Sequence, residues 1–374
     1  MSSRRSARAA AETYVYVSNA DDGDIGMYRL QQDGELVPLG RVGAAAAVMP
    51  MAVSADRRFL YAASRAKPYA VHAYSIDGGS GMLTLLASAP LTDSLPYISL
   101  DRTGRYLFGA SYGGHAVSVN AIDPDGRVAH EPLQVVPVGR NAHSIRVDSS
   151  NRYAYVPTLG SDAVFQFTFD AQTGRLRSNT PSVLMMAELS GPRHLVASPD
   201  DRFLYVLGEL RGTVSTLALD ARTGLSTEVS VASALAPGTT LRPGLPRTKA
   251  PDRDRTHDIW AADLHLTPDG RFLYVSERTS STLALLRVDA GSGELTYVAS
   301  MPTERQPRGF AIDPAGRFVV VSGEMSDRLA VHAIDPATGA LKTVGRYPAG
   351  RRSNWVEIVR FDGPAGDAGI MPAP

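Results

Sequence analysis

A set of ionisable side chains stands at positions of this chain where turns meet strands: His143, Arg193, His194, Glu209, Asp263, His265, Glu277, Arg278, Arg308 and Glu324. Together these residue types can pass protons and hold anions. A carboxylate or imidazole set close to opposite charge has its pKa moved, as a general base requires. A guanidinium takes up a carboxylate or phosphate through two parallel hydrogen bonds. Gln306, Tyr97 and Trp355 occupy equivalent positions and supply further hydrogen-bonding and aromatic surface. Plain structural readings compete with these roles. Asp263 and His265 fit a buried Asp–His–Ser network that staples strands, and Glu209 can form a salt bridge. His72, His115, His130 and His332 fall on strands or turns without convergent partners and receive no role.

Other chemistries are excluded. The chain has no cysteine, so disulfides, thiolate zinc sites and a cysteine nucleophile are absent. No Gly-rich phosphate loop opens a helix, and HExxH and GxSxG do not occur. The 38 basic and 38 acidic residues cancel, leaving no global field for nucleic acid or an anionic membrane. No apolar run approaches the roughly 20 residues of a membrane helix.

The elements that position these residues are visible as a repeat. A turn, then Arg, then alternating aromatic and aliphatic residues recurs at 54–64, 101–111, 148–158, 198–208, 267–277 and 313–323, with a headless copy at 14–19. Aligned on Tyr16, Tyr61, Phe108, Tyr155, Tyr205, Tyr274 and Val320, the steps are 45, 47, 47, 50, 69 and 46 residues. That period belongs to a four-stranded propeller blade. Each copy reads as alternating strands joined by Pro-Asp, Asp-Gly and Thr-Gly turns, with almost no helical periodicity. The expected fold is therefore all-β: a seven-bladed β-propeller over 13–361. A strand at 354–361 would pair with 14–19 and close the ring, so that no sheet edge is left exposed. Residues 1–12 and 362–374 read as tails. The repeated aromatic and turn residues are expected to pack blades, not to form a site.

In such a ring, the loop entering each first strand and the loop leaving each second strand share one end of the central channel. The listed charges fall at those loops and cluster in the fourth to sixth units, opposite a wall of small, polar and aromatic residues. The long step carries an insertion, 236–258, with Arg242, Arg247, Lys249, Arg253 and Arg255. It reads either as a lid bringing positive charge to an acidic ligand or as a solvated basic loop.

The segments GPRHLVASPDDRFLYVLGEL, WAADLHLTPDGRFLYVSERTSSTLALL and PTERQPRGFAIDPAGRF resemble the propeller-type 6-phosphogluconolactonases of bacteria, which share a fold with the fungal 3-carboxy-cis,cis-muconate lactonizing enzymes. The similarity runs from about residue 13 to residue 361. It implies hydrolysis of a sugar-acid lactone, such as 6-phosphogluconolactone or a related aldono- or aldarolactone, by activated water. The alternatives are a lactonizing cycloisomerase and a non-catalytic binding propeller. By local motif the resemblance carries four catalytic residues over: His143 in AHSIRV, Glu209 in GEL, Arg193 in GPRH and Arg278 in ERT. His194, Asp263, His265, Glu277, Arg308, Gln306, Tyr97 and Trp355 are expected to bind substrate. No cofactor is expected. The carboxylates Glu209, Asp263, Glu277 and Glu324 could offer oxygens to a dication, but the neighbouring arginines argue against one. The expected setting is a cytoplasmic monomer or weak homo-oligomer that meets a small lactone and neither membrane nor nucleic acid.

Overall fold

The computed structural model describes residues 11–246, 249 and 252–362. Its strands form seven four-stranded antiparallel sheets, and no helix occurs among the described residues. In each sheet the first strand of the blade lies innermost, and these strands pack side by side around a central channel. The ring closes where Ser353–Phe361, from the end of the chain, becomes the innermost strand beside Glu12–Asn19, Asp24–Leu30 and Leu36–Gly43. Tyr14 stands opposite Val359 and Tyr16 opposite Glu357 in that seam. The N-terminal strand begins at Glu12, which pairs with Phe361, so the sheet takes in one residue of the expected N-terminal tail. Residues 1–10 of that tail and nearly all of the C-terminal one lie outside the described residues.

The repeated phrase has a physical explanation. Asp148 opens a turn by accepting the backbone N–H of Arg152 at 3.0 Å and of Tyr153 at 2.9 Å. The Arg152 guanidinium lies over the Tyr153 ring, 5.2 Å from its centroid, and reaches the carbonyl of Ala221 in the next blade at 3.0 Å. The second aromatic ties blades together as well. Tyr16 donates to the Gly81 carbonyl and Tyr155 to that of Gly224, each at 3.0 Å. Gly224 has φ +68° and packs under Tyr153 so closely that a Cβ there would sit 2.0 Å from the ring. Glycine meets both demands at once.

Two irregularities matter for the site. The register slips within the innermost pairings of four blades, between residues 48 and 51, 192 and 195, 261 and 264, and 307 and 310. A bulge adds a residue and re-aims side chains. Arg193 and His194, Ala262 and Asp263, and Arg308 and Gly309 all lie in these bulges. In the blade built on Tyr153–Thr158 the innermost strand shrinks to Arg146–Val147, with only a bridge between Ala142 and Thr158 above it. His143 and Ser144 fall in the gap between the two.

Candidate active site

One mouth of the channel opens into a cavity of about 590 Å³. His143, Arg193, Glu209, Arg278, Gln306 and Arg308 line it, together with Arg65, Tyr112 and Trp260. At its centre is a bridged ion pair. Glu209 Oε2 accepts from Arg193 Nε at 2.7 Å and from Arg278 Nη2 at 3.0 Å. Arg278 is further held by the carbonyls of Trp260 at 3.0 Å and Ala261 at 3.1 Å, with its guanidinium 3.8 Å from the Trp260 ring centroid. Among the described residues, Glu209 Oε1 has no hydrogen-bond partner.

Arg193 is completely buried. Its Nη1 donates to the Ala262 carbonyl and contacts the His194 ring. Its Nη2 is buried without a partner among the described residues, and so is Nε of Arg308. Burial, reinforced by the like charges of Arg278 and Arg308, brings Arg193 down to about 9, and it remains a cation at neutral pH. Burial and then Arg308 bring Arg65 down to about 10. Behind Arg308, burial raises the Glu324 carboxyl, but Arg308 and then Arg278 outweigh it and leave the group lowered and ionised. His143 is buried, and desolvation followed by Arg193 holds it well below the ordinary 6.5, so it is a neutral imidazole. Its Nδ1 is buried without a partner among the described residues.

The other expected substrate-binding residues sit elsewhere. His194, Tyr97 and Trp355 form an aromatic plug across the channel waist. Tyr97 lies 5.0 Å from His194 and 5.5 Å from Trp355 between ring centroids, in edge-on contacts. These rings, with Asp263, His265 and Glu357, line a second cavity of about 410 Å³ on the far side of the waist. The bulges are the reason: at each one, neighbouring residues point to different levels of the channel. Asp263 accepts from His194 Nδ1 at 2.8 Å and pairs with His265 Nε2 at 3.1 Å. Glu277 is corrected too, because the loop itself occupies its carboxylate. Oε1 accepts Trp260 N–H at 2.7 Å, and Oε2 accepts the N–H and hydroxyl of Ser280 at 2.6 and 2.7 Å. It shapes the Trp260 turn and does not line the main cavity.

The insertion forms one wall of that cavity through Gly244, Leu245, Pro246, Arg255, Thr256 and Asp258. Buried Asp258 gathers its arginines: Arg242 Nε at 2.8 Å, Arg253 Nη2 at 2.7 Å and Arg255 Nη1 at 3.8 Å. These three arginines are therefore gathered within the loop, although the one carboxylate offsets only one of their charges. Arg247 lies outside the described residues. Arg65, Tyr112 and Trp260 were not assigned to the site from sequence. Arg65 and Tyr112 do stand at second-strand exits, which was the available signal. Trp260 follows the insertion and has no counterpart in the repeat.

The sequence and fold are similar to those of known proteins. The model of the family described as "Lactonase, 7-bladed beta-propeller" matches residues 13–358. The chain is 36% identical over 299 residues to a 6-phosphogluconolactonase of Pectobacterium carotovorum, covering 80% of this chain and 84% of the relative. It is 37% identical to one from Serratia proteamaculans, with the same coverage. The structure of the periplasmic gluconolactonase of Pseudomonas aeruginosa is similar, with a TM-score of 0.82 and 29% identity over 93% of this chain and 99% of that one. A closed seven-bladed ring, a cationic cavity at one channel mouth and a family match across nearly the whole fold agree, and the chain belongs to the seven-bladed β-propeller lactonases, which are carboxylic-ester hydrolases.

Proposed function

We propose that this lactonase opens a sugar-acid lactone that carries a further anionic group, of the 6-phosphogluconolactone kind, in the cavity lined by His143, Arg193, Glu209 and Arg278. The observation that carries this reading is the pair of buried, unpartnered guanidinium nitrogens, Arg193 Nη2 and Arg308 Nε. Buried donors are rarely left unsatisfied, and an anionic ligand would satisfy these. The buried or partly buried arginines Arg65, Arg193, Arg278 and Arg308 line that cavity together with the carboxylate of Glu209.

The chemistry follows from the geometry. Arg193 and Arg278, both fixed through Glu209, hold the carbonyl oxygen and stabilise the negative charge that water attack places on it. Glu209 Oε1 takes the proton from the attacking water. The tetrahedral intermediate collapses by breaking the ring C–O bond. Protonated Glu209 returns the proton to the departing ring oxygen. The new carboxylic acid then ionises. His143, neutral and buried at the cavity floor, serves as a hydrogen-bonding group to the substrate. Arg65 and Arg308 hold the second anionic group. The setting proposed for this reaction is the cytoplasm; among the described residues, no helix is long and apolar enough to cross a membrane.

The test is a pH-stat assay across phosphorylated and free sugar lactones, with spontaneous opening subtracted. Preference for the phosphorylated lactone is expected. Equal kcat/KM for a neutral aldonolactone would refute the second anion site.

A further inference from the structure

Arg278 is held at the channel mouth by a short segment, residues 258–261, that leads from the insertion into the innermost strand Ala261–Leu266. The Trp260 carbonyl accepts both the backbone N–H and Nε of Arg278, at 3.2 and 3.0 Å. The Ala261 carbonyl accepts Nη2 at 3.1 Å. Arg278 Cζ lies over the Trp260 ring, 3.8 Å from its centroid. Two carbonyls and an aromatic face thus form a cradle, and the guanidinium in it sets Nη2 3.0 Å from Glu209 Oε2.

The cradle is anchored in turn. Trp260 N–H donates to Glu277 Oε1 at 2.7 Å, while Glu277 Oε2 accepts the N–H and hydroxyl of Ser280 at 2.6 and 2.7 Å. Ala261 N–H donates to the main-chain carbonyl of Glu209 at 3.1 Å, and the Thr279 hydroxyl donates to the Asp258 carbonyl at 2.6 Å. Glu277 is 2% exposed, so water does not compete for its hydrogen bonds and the low local dielectric strengthens them. One stretch of backbone therefore ties the main chain of Glu209 to the side chain of Arg278, across two blades. A free arginine side chain samples many rotamers, whereas a developing oxyanion is stabilised by donors fixed in place beforehand.

We infer that Trp260 and Glu277 are positioning residues for the lactonase reaction: the indole face and the carbonyls of residues 260 and 261 hold the Arg278 guanidinium against Glu209 and the reacting carbonyl, and Glu277 holds that segment. Both act through Arg278, so their role rests on the part proposed for that arginine in stabilising the oxyanion. The arrangement gives a reason for a buried carboxylate set outside the main cavity, and for an aromatic residue with no counterpart in the repeat.

The decisive comparison is between Trp260→Phe and Trp260→Leu in the full-length enzyme, assayed on 6-phosphogluconolactone, with folding checked by thermal melts. Both side chains are smaller than indole, and both variants keep the backbone carbonyls. Only phenylalanine offers the cation an aromatic face. Trp260→Leu is expected to have a kcat about 5- to 30-fold below that of Trp260→Phe, the range for a desolvated cation–π contact, with KM values within about threefold of each other. A space-filling role alone would leave the two alike. Glu277→Met removes the acceptors at nearly constant volume and should lower kcat by about tenfold or more. Ser280→Ala leaves the Trp260 N–H on Oε1 and should stay within about twofold of wild type. Equal kcat for the two Trp260 variants would overturn the inference, as would a difference confined to KM, which would put the indole against the substrate instead. A wild-type kcat in Glu277→Met, or an equal loss in Ser280→Ala, would remove Glu277 from it. If Glu277→Met fails to fold, the Trp260 pair still decides. Arg278→Ala separates the two layers. Full activity there would refute the role of Arg278 itself, whereas its loss alongside equal Trp260 variants would refute the positioning alone.

Discussion

Replacing Glu209 by Gln changes one charge and almost no volume, and the structure sets two separate magnitudes for it. The first is catalytic. Glu209 Oε1 is the proton acceptor of the proposed reaction, and general-base assistance contributes about 10²–10⁴-fold. The amide cannot take that proton, so kcat should fall by at least about a hundredfold. The second magnitude is structural. Glu209 is the shared counter-charge of Arg193 and Arg278, which are buried to within 2% of full. Removing one side of a buried ion pair costs about 3–5 kcal/mol. Unfolding entropy near 2.1 cal/mol/K per residue gives about 0.7 kcal/mol/K for a ring of roughly 350 residues, so Tm should drop by about 4–7 °C. The ring should survive that loss and keep its β-sheet circular dichroism. The assay is initial-rate kinetics by pH-stat with a parallel calorimetric melt. A variant with wild-type kcat would remove Glu209 from the chemistry. One with wild-type Tm would show that the two arginines do not depend on it.

Removing Arg65 or Arg308 as Ala should raise KM for a phosphorylated lactone by about tenfold or more while changing that of a neutral lactone by less than about threefold; matched losses on both substrates would refute their assignment to the second anion. Activity should survive EDTA, because the cavity is crowded with guanidinium groups that repel a dication; loss on chelation with rescue by a divalent ion would refute this. Glu357 yields a prediction of opposite sign to the usual carboxylate. Burial in the lower channel lifts it to about 7, above the ordinary 4.5, even though Trp355 Nε1–H donates to it at 2.9 Å. The folded protein thus resists its ionisation, and the wild type loses stability as pH rises between those values, by up to about 3 kcal/mol. Glu357→Gln should therefore melt higher than wild type at pH 8 and together with it near pH 4.5; an equal gap at both would show that the carboxyl titrates normally.

Much of this protein is legible in its linear order. Asp148, Arg152, Tyr153 and Tyr155 recur as a phrase because each blade needs the same turn, the same stacked guanidinium and the same hydroxyl tied to the next blade. A period near 47 residues with alternating strands therefore suffices to read a seven-bladed ring, and pairing 14–19 with the C-terminal strand follows from leaving no edge open. Breaks in the repeat also pointed to His143, Arg193, Glu209, Gln306, Arg278 and Arg308, since loops at one end of the ring share a channel mouth. What could not be read is depth along that channel. Arg193 and His194 are adjacent in sequence, yet a bulge sends one guanidinium to the main cavity and one imidazole to the waist. The same slip takes Asp263 and His265 below the plug. Glu277 carries the same charge as Glu209, but only the folded loop shows its oxygens held by Trp260 and Ser280. Blade count and site sector were thus determined by local, periodic interactions written into the sequence. Which side chains line the main cavity was decided by strand register and inter-blade packing, which depend on partners about 15 to 70 residues away.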